Sequence, residues 1–77
     1  MNKILSLADI KPGESAVITR LEVKGDIRRR MQDIGIIEGA KIECIFESPW
    51  SDPVAYQVKG AVIALRREDS ADIFVKL

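Results

Sequence analysis

The stretch Asp26-Ile-Arg-Arg-Arg-Met-Gln-Asp-Ile-Gly-Ile-Ile-Glu-Gly39 predicts the only helix of an otherwise β-rich chain. At about 100° per residue, Ile27, Met31 and Ile34 fall on one narrow face. This spacing is typical of a short helix that lays one side on a core. We therefore expect an α-helix over about residues 26–34.

Residues at both ends of this helix favour those boundaries. Asp26 is a good N-cap, because its carboxylate can accept hydrogen bonds from the free N–H groups of the first turn. Gly35 can adopt the left-handed conformation that ends a helix, and Ile36 could then touch Met31 in a Schellman motif. Gly39 supplies a turn before the next strand.

On both sides of the helix, apolar residues recur with the period of two that is typical of β-strands. The clearest case is residues 41–47, where Ile42, Cys44 and Phe46 alternate with charged residues and should share one buried face. The pair Lys59-Gly60 predicts a two-residue hairpin turn. Strands are predicted over residues 15–23, 41–47, 54–58, 61–65 and 72–77, after an extended or single-turn lead-in at residues 4–10.

Five short strands joined by tight turns predict a closed sheet, because closure removes the exposed edges of an open one. The predicted fold is mainly β: a small SH3-like five-stranded barrel with one short α-helix across an open end. With 77 residues, the chain is expected to be a single domain over residues 1–77.

The composition excludes several classes of function. Twelve basic and twelve acidic residues give zero net charge, which argues against a nucleic-acid or anionic-membrane binder. One cysteine and no histidine exclude a disulfide framework and a zinc finger. The sequence has no apolar run of ~18 residues, no Ser/His/Asp set, no Cys/His pair and no phosphate loop. We expect a cytoplasmic protein that is not an enzyme and acts through its surface.

In its motifs the chain resembles the FeoA family, small cytoplasmic proteins of bacterial ferrous iron uptake. The resemblance rests on the opening segment, the helix with its turn, the proline loop and the last hairpin, at residues 7–14, 29–36, 38–39, 48–49, 52–56, 60–61 and 63–66. Together these motifs cover nearly the whole chain. One departure is visible, because Trp50 and Ser51 stand where the family's loop usually has a small aliphatic residue and a glycine.

The resemblance implies an SH3-like barrel and a non-enzymatic accessory or regulatory role in ferrous iron uptake. The implied partner is FeoB, the membrane protein that imports Fe²⁺ and carries a cytoplasmic G-protein domain, so the chain would reach the membrane only through that partner. The same domain ends iron- and manganese-dependent repressors, which gives an alternative: a free-standing metal-responsive regulatory module. No cofactor is expected, with Fe²⁺ or Mn²⁺ as the minor alternative, and weak homo-oligomerisation is left open.

Arginines of the helix are the first candidates for binding a partner. Arg28, Arg29 and Arg30 point in three directions around a helix, so they cannot form one patch. A solvated surface is the simplest interpretation, in which Arg29 pairs with Asp33 four residues further on. A contact with a partner protein is the second interpretation, and an arginine finger acting on a G domain is the third. Arg30 borders the apolar face of the helix. Arg29 and Arg30 are selected as partner-binding candidates.

The loop between two prolines supplies the remaining partner-binding candidates, Trp50, Asp52 and Pro53. Tryptophan is enriched at interface hot spots, but Trp50 could instead fold back over the barrel end as a core lid. A Trp50→Ala variant distinguishes the two, because the loss of a lid would lower the melting temperature.

Metal ligation is the less favoured interpretation of the remaining polar residues. Cys44 should be a buried core thiol, since a lone cysteine lacks co-ligands. The carboxylates could bind a hard cation only if the fold gathers them; they are Glu43, Glu47, Asp52, Glu68, Asp69 and Asp72. No metal-binding residue is predicted.

Overall fold

The computed structural model of this chain describes residues 3–47, 49 and 52–77, in which six antiparallel strands form one sheet. The elements in chain order are β1 (Ile4–Ser6), a 3₁₀ turn (Leu7–Asp9), β2 (Ser15–Leu21), α1 (Gly25–Asp33), β3 (Lys41–Glu47), β4 (Val54–Val58), β5 (Ala61–Leu65), α2 (Arg67–Ser70) and β6 (Ile73–Lys76). The strand order in the sheet is β1-β6-β2-β3-β4-β5.

Hydrogen bonds join the β1 end of this strand order to β4 and α2 near its other end, as in a partly closed barrel. The carbonyl of Leu7, just after edge strand β1, accepts from the Tyr56 hydroxyl of β4 at 3.4 Å. The carbonyl of Ala8 accepts from Nη1 of Arg67 in α2 at 3.0 Å. The predicted SH3-like, mainly β fold is confirmed.

The sheet has six strands rather than the predicted five, because the lead-in contributes one. Residues Ile4–Ser6 pair with β6, with Ile4 opposite Lys76. Three residues are too few to show an alternation pattern, so the sequence predicts only an extended segment or a single turn here. Both occur in succession, since β1 runs directly into the 3₁₀ turn.

A β-bulge in β2 decides which of its side chains reach the core. The pairing of β2 with β6 shifts register between Ile18 and Arg20. An extra residue in one strand inverts the alternation beyond it, so Leu21 joins Ile18 and Ala16 among the buried residues. The sequence pattern alone did not indicate which face of this strand lies inside.

A second bulge corrects one prediction for β3. Ile42 and Cys44 are buried as expected, but Phe46 is 56% exposed. The register of β3 against β4 shifts between Cys44 and Phe46, which turns the later side chain outward. The prediction that Phe46 shares the buried face was therefore wrong.

The barrel interior is filled mainly by aliphatic side chains. Full burial of one such side chain contributes roughly 1.5–3 kcal/mol. The largest buried side chains are Tyr56, Leu7, Ile18, Ile36, Ile42, Ile73, Val54, Val58 and Val75.

Helix α1 begins one residue earlier than predicted, and its N-cap differs. The N-cap residue is Lys24, which makes no side-chain capping hydrogen bond. Asp26 is therefore not the N-cap, as was expected, because it lies inside the first turn. Its negative charge there interacts favourably with the helix dipole instead.

The C-terminal end of α1 forms the predicted Schellman motif. The N–H of Ile36 donates to the Met31 carbonyl at 2.8 Å, and the N–H of Gly35 donates to the Gln32 carbonyl at 3.1 Å. Gly35 has a φ of 101°, which only glycine adopts at little cost. Met31 and Ile36 are both buried in the core.

Only part of the predicted apolar face of α1 is covered. Met31 is 3% exposed, whereas Ile27 and Ile34 are each 44% exposed. The helix is thus fixed by Met31 and the Schellman turn rather than by all three residues. Two isoleucines are left half-exposed on its flank.

Candidate partner-binding surface

A shallow groove of about 250 Å³ lies between α1 and β5. Most of its lining is apolar, and only one residue of each charge sign takes part. The lining residues are Ile27, Arg30, Met31 and Ile34 of α1, Ala64 and Leu65 of β5, and Asp69 of α2. An apolar groove with two charged lining residues suits a protein partner better than a small polar ligand.

The three helix arginines have different environments. Arg28 is half-buried, and its Nη1 donates to the Leu21 carbonyl at 2.6 Å. Arg29 and Arg30 are exposed. The predicted Arg29–Asp33 pair is wrong, because neither residue is in an ion pair within the described part of the chain. A fully solvated pair gains too little energy to fix two long side chains.

The proline-loop candidates fall into two groups. Trp50 lies outside the described residues, so its predicted role stays a prediction. Asp52 and Pro53 are exposed and are joined by a cis peptide bond. Oδ1 of Asp52 accepts from the backbone N–H of Arg67 at 3.0 Å. Asp52 therefore satisfies a free N–H at the start of α2, whose own N-cap residue provides no side-chain hydrogen bond.

Arg67 connects three separate parts of the barrel. Its Nη2 is 3.0 Å from Oε1 of Glu47 at the end of β3, and its Nη1 donates to the Ala8 carbonyl in the 3₁₀ turn. Its backbone N–H donates to Asp52. The sequence does not indicate this role of Arg67, because its partners lie 15 to 59 residues away along the chain.

Helix α2 lies between the two predicted surfaces. One of its residues, Arg67, contacts Asp52 of the proline loop, and another, Asp69, lines the groove together with Arg30. Two of the predicted residues, Arg30 and Asp52, thus lie next to one short element. The sequence held one signal for the groove: the residues of β5 are apolar on both faces, which is unusual for a strand with one face in water.

The Cys44 thiol and the Tyr56 hydroxyl are buried and have raised pKa values. Burial raises the pKa of the Cys44 thiol above its ordinary value of 9.0, and the negative charge of Glu47 adds to the effect. Burial likewise raises the pKa of Tyr56, while the hydrogen bond with Ser70 opposes this shift. A thiol that stays protonated is a poor nucleophile. Cys44 is buried and free, as predicted.

The described carboxylates are scattered. Residues 3–47, 49 and 52–77 contain no group of three or more His, Cys, Asp or Glu side chains placed to hold a metal ion. In the same part of the chain, no helix has the length and apolar character that crossing a bilayer requires.

An SH3-like barrel that has an apolar groove, and no metal-holding cluster among its described residues, is typical of an interaction module. The family model of the FeoA domain matches residues 5–77. This chain therefore belongs to the FeoA domain family. The resemblance recognised in its motifs is confirmed.

Relatives of known name agree with this assignment. A fusion protein of Fe(2+) transport protein A and the Fe(2+) transporter FeoB, from Porphyromonas gingivalis, is 37% identical over 73 residues. That match covers 95% of this chain and only 9% of the fusion protein. The solution structure of a FeoA protein from Chlorobium tepidum has a TM-score of 0.91 at 29% identity, covering 95% of this chain and 70% of that one.

A manganese-dependent transcriptional repressor shares the fold. Its TM-score is 0.85 at 14% identity, and the match covers 97% of this chain and 42% of the repressor. Identity this low supports a common fold and nothing further.

Proposed function

We propose that this chain is a cytoplasmic, non-enzymatic accessory protein of ferrous iron uptake that docks on the cytoplasmic G-protein part of a FeoB-type transporter. The observation that carries the proposal is the Porphyromonas gingivalis relative, in which a FeoA domain and FeoB are one polypeptide. Fusion keeps two domains at high effective concentration, which is useful when they work in contact. The chain reaches the membrane only through this partner and binds no nucleic acid, in keeping with its zero net charge.

The docking surface in this proposal is the exposed flank of α1 together with the groove beside it. Arg29 and Arg30 are exposed and unpaired within the described residues, so their charges are available to a partner. Ile27 and Ile34 supply apolar area next to them. Trp50 and the exposed Pro53 are proposed as further partner contacts, while Asp52 also supports the fold through α2.

The proposal includes no resident metal or other cofactor. Its support is the scatter of carboxylates in the described part of the chain and the burial of the single thiol. The alternative, a metal-responsive regulatory module, predicts binding of Mn²⁺ or Fe²⁺ by the isolated chain. Anaerobic calorimetric titration with each ion tests it, and heat of binding with defined stoichiometry would favour the alternative.

A binding assay on purified proteins tests the docking proposal. The chain is immobilised, and the cytoplasmic G-protein part of the cognate transporter is titrated without nucleotide, with GDP and with a non-hydrolysable GTP analogue. Arg30→Glu should raise Kd about tenfold, since reversing one interfacial charge costs on the order of 1.4 kcal/mol. Lys41→Glu makes the same charge change at an exposed site of β3 outside the groove and should leave Kd within about twofold.

The outcomes separate the function from the surface. Absence of binding in all three nucleotide states would overturn the docking proposal itself. Tight binding with a Kd that neither Arg29→Glu nor Arg30→Glu changes would support docking but assign it to another face of the barrel.

A further inference from the structure

The outer edge of β5 has no strand paired with it among the described residues, although α1 lies beside it across the groove. β5 pairs with β4 on one side and stands last in the strand order of the described residues. Its residues, Ala61–Leu65, include no charge and no proline, which are two of the devices that commonly protect an edge strand. Val62 is 61% exposed. This edge is therefore suited to pairing with another strand.

The hairpin before β5 determines which backbone groups point outward. Lys59 and Gly60 both have positive φ, 50° and 81°, as in a type I′ two-residue turn. The residues that flank such a turn form a hydrogen-bonded pair, and bonded and non-bonded pairs then alternate along the ladder. The N–H and C=O groups of Val62 and Ala64 therefore face away from β4.

We infer that β5 pairs antiparallel with β5 of a second copy of this chain, around a two-fold axis at Ile63. In this register, Val62 of each copy lies opposite Ala64 of the other. The backbone N–H and C=O groups of both residues face outward, so each opposed pair exchanges two hydrogen bonds. All outward backbone groups of Val62 and Ala64 are then satisfied. A shift by two residues in one direction would place Ala64 opposite Gly60 of the turn, and in the other direction it would place Val62 opposite Arg66. The Arg66 carbonyl already accepts from the N–H groups of Asp69 and Ser70, so the symmetric register satisfies the edge best.

Charges at the two ends of β5 are complementary in this arrangement. Lys59 precedes the strand, and Glu68 and Asp69 follow it in α2. Antiparallel pairing brings the start of one strand beside the end of the other, so Lys59 of each copy lies near these carboxylates of the second copy. Within the described residues, none of the three is in an ion pair. Arg66 lies at the same end and reduces the electrostatic gain.

Apolar side chains that also belong to the proposed transporter-docking surface lie next to the edge. Ile27 and Ile34 of α1, each 44% exposed, line the groove beside Ala64. A stable dimer buries about 800 Å² per subunit, close to a sixth of the 4953 Å² surface of this chain. A five-residue edge with two half-exposed isoleucines offers less, so the dimer is weak, with Kd of roughly 0.1–1 mM.

Sedimentation velocity of the full chain tests this inference from about 10 μM to 2 mM. The weight-average mass should rise from 8.6 kDa toward twice that value. Val62→Lys places a charge on the exposed edge and should abolish the rise, while Val62→Thr keeps a β-branched residue and should preserve it. Phe46→Lys makes a comparable change at another exposed apolar site and should also preserve it.

Amide hydrogen exchange of the same samples reports on the edge itself. The amides of Val62 and Ala64 should become protected as concentration rises, while other exposed amides stay unchanged. A monomer at 2 mM, or a dimer that survives Val62→Lys, would overturn the inference. Protection of these two amides by the transporter's G-protein part without self-association would also overturn it, by assigning the edge to that partner. The test does not depend on the proposed transport role.

Discussion

Replacing Gly35 with alanine tests how firmly the Schellman turn holds α1 on the barrel. The φ of 101° strains an L side chain by about 1–2 kcal/mol. Alanine also restricts the unfolded chain, which offsets about 0.4–1 kcal/mol. The new Cβ would lie 3.0 Å from Cδ of Lys59, a flexible side chain that can move at little cost. The expected net loss is about 1 kcal/mol, or about 4–8 °C in Tm for a domain of this size.

Calorimetry and urea titration of wild type and Gly35→Ala measure this loss. Gly39→Ala serves as the control for strain alone, because its φ is 87° and the new Cβ would meet no described atom within 4 Å apart from those of residues 38–40. Lys59→Ala, combined with Gly35→Ala, removes the close contact and should recover no more than about 0.3 kcal/mol. An unchanged Tm for Gly35→Ala, with a native circular dichroism spectrum, would refute the argument that the left-handed glycine fixes α1.

Three further changes should alter stability in defined ways. Arg67→Ala removes the contacts to Glu47 and the 3₁₀ turn, so it should lower the free energy of unfolding by about 1–2 kcal/mol in urea titration. Arg29→Ala should change the free energy of unfolding by less than about 0.5 kcal/mol. Equal effects of the two substitutions would contradict the connecting role of Arg67. Met31→Ala should cost about 2–5 kcal/mol, enough to unfold a marginal domain, whereas the half-exposed Ile27 should tolerate alanine at clearly lower cost. Stability should fall as pH rises above about 9, because the thiol of the unfolded chain ionises at its ordinary pKa of 9.0 while the buried Cys44 thiol, whose pKa is raised, stays neutral. The Cys44→Ala variant should therefore lose less stability than wild type between pH 9 and 10, measured by urea midpoints. Identical pH profiles of the two proteins would contradict this prediction.

Turn chemistry and clear alternation made much of the fold predictable. The bounds of β3, β4 and β5 match the sequence prediction, because tight turns and regular apolar spacing mark their ends. The Schellman end of α1 was predictable for a similar reason, since a glycine followed by an apolar residue is a local signal. β1 was not, because three residues carry no periodicity.

The bulges could not be predicted, because they depend on the partner strand. Phe46 continues the apolar alternation of β3 in sequence, yet the register shift against β4 turns it to solvent. A single inserted residue inverts every side chain beyond it. Patterns within one strand contain no information about where its ladder breaks.

The structure places two of the predicted partner-binding residues in contacts that the sequence did not indicate. Arg30 lines the groove, but its partner residues on β5 and α2 come from segments more than 30 positions away in sequence. Asp52 was selected as an interface residue, whereas the structure also gives it a bond to the start of α2. Such contacts follow from the rolled sheet, which local spacing does not encode. The role of Trp50 stays a prediction.

The pairing of β1 with β6 has a consequence for how this barrel can be joined to other proteins. Ile4 lies directly opposite Lys76, so the start of β1 and the end of β6 lie at the same corner of the sheet. Adjacent ends tolerate circular permutation and insertion into another chain, because a short connector can bridge them without straining the fold. The barrel can therefore be appended through either end, or spliced into a larger protein, while α1, the groove and the β5 edge keep their arrangement.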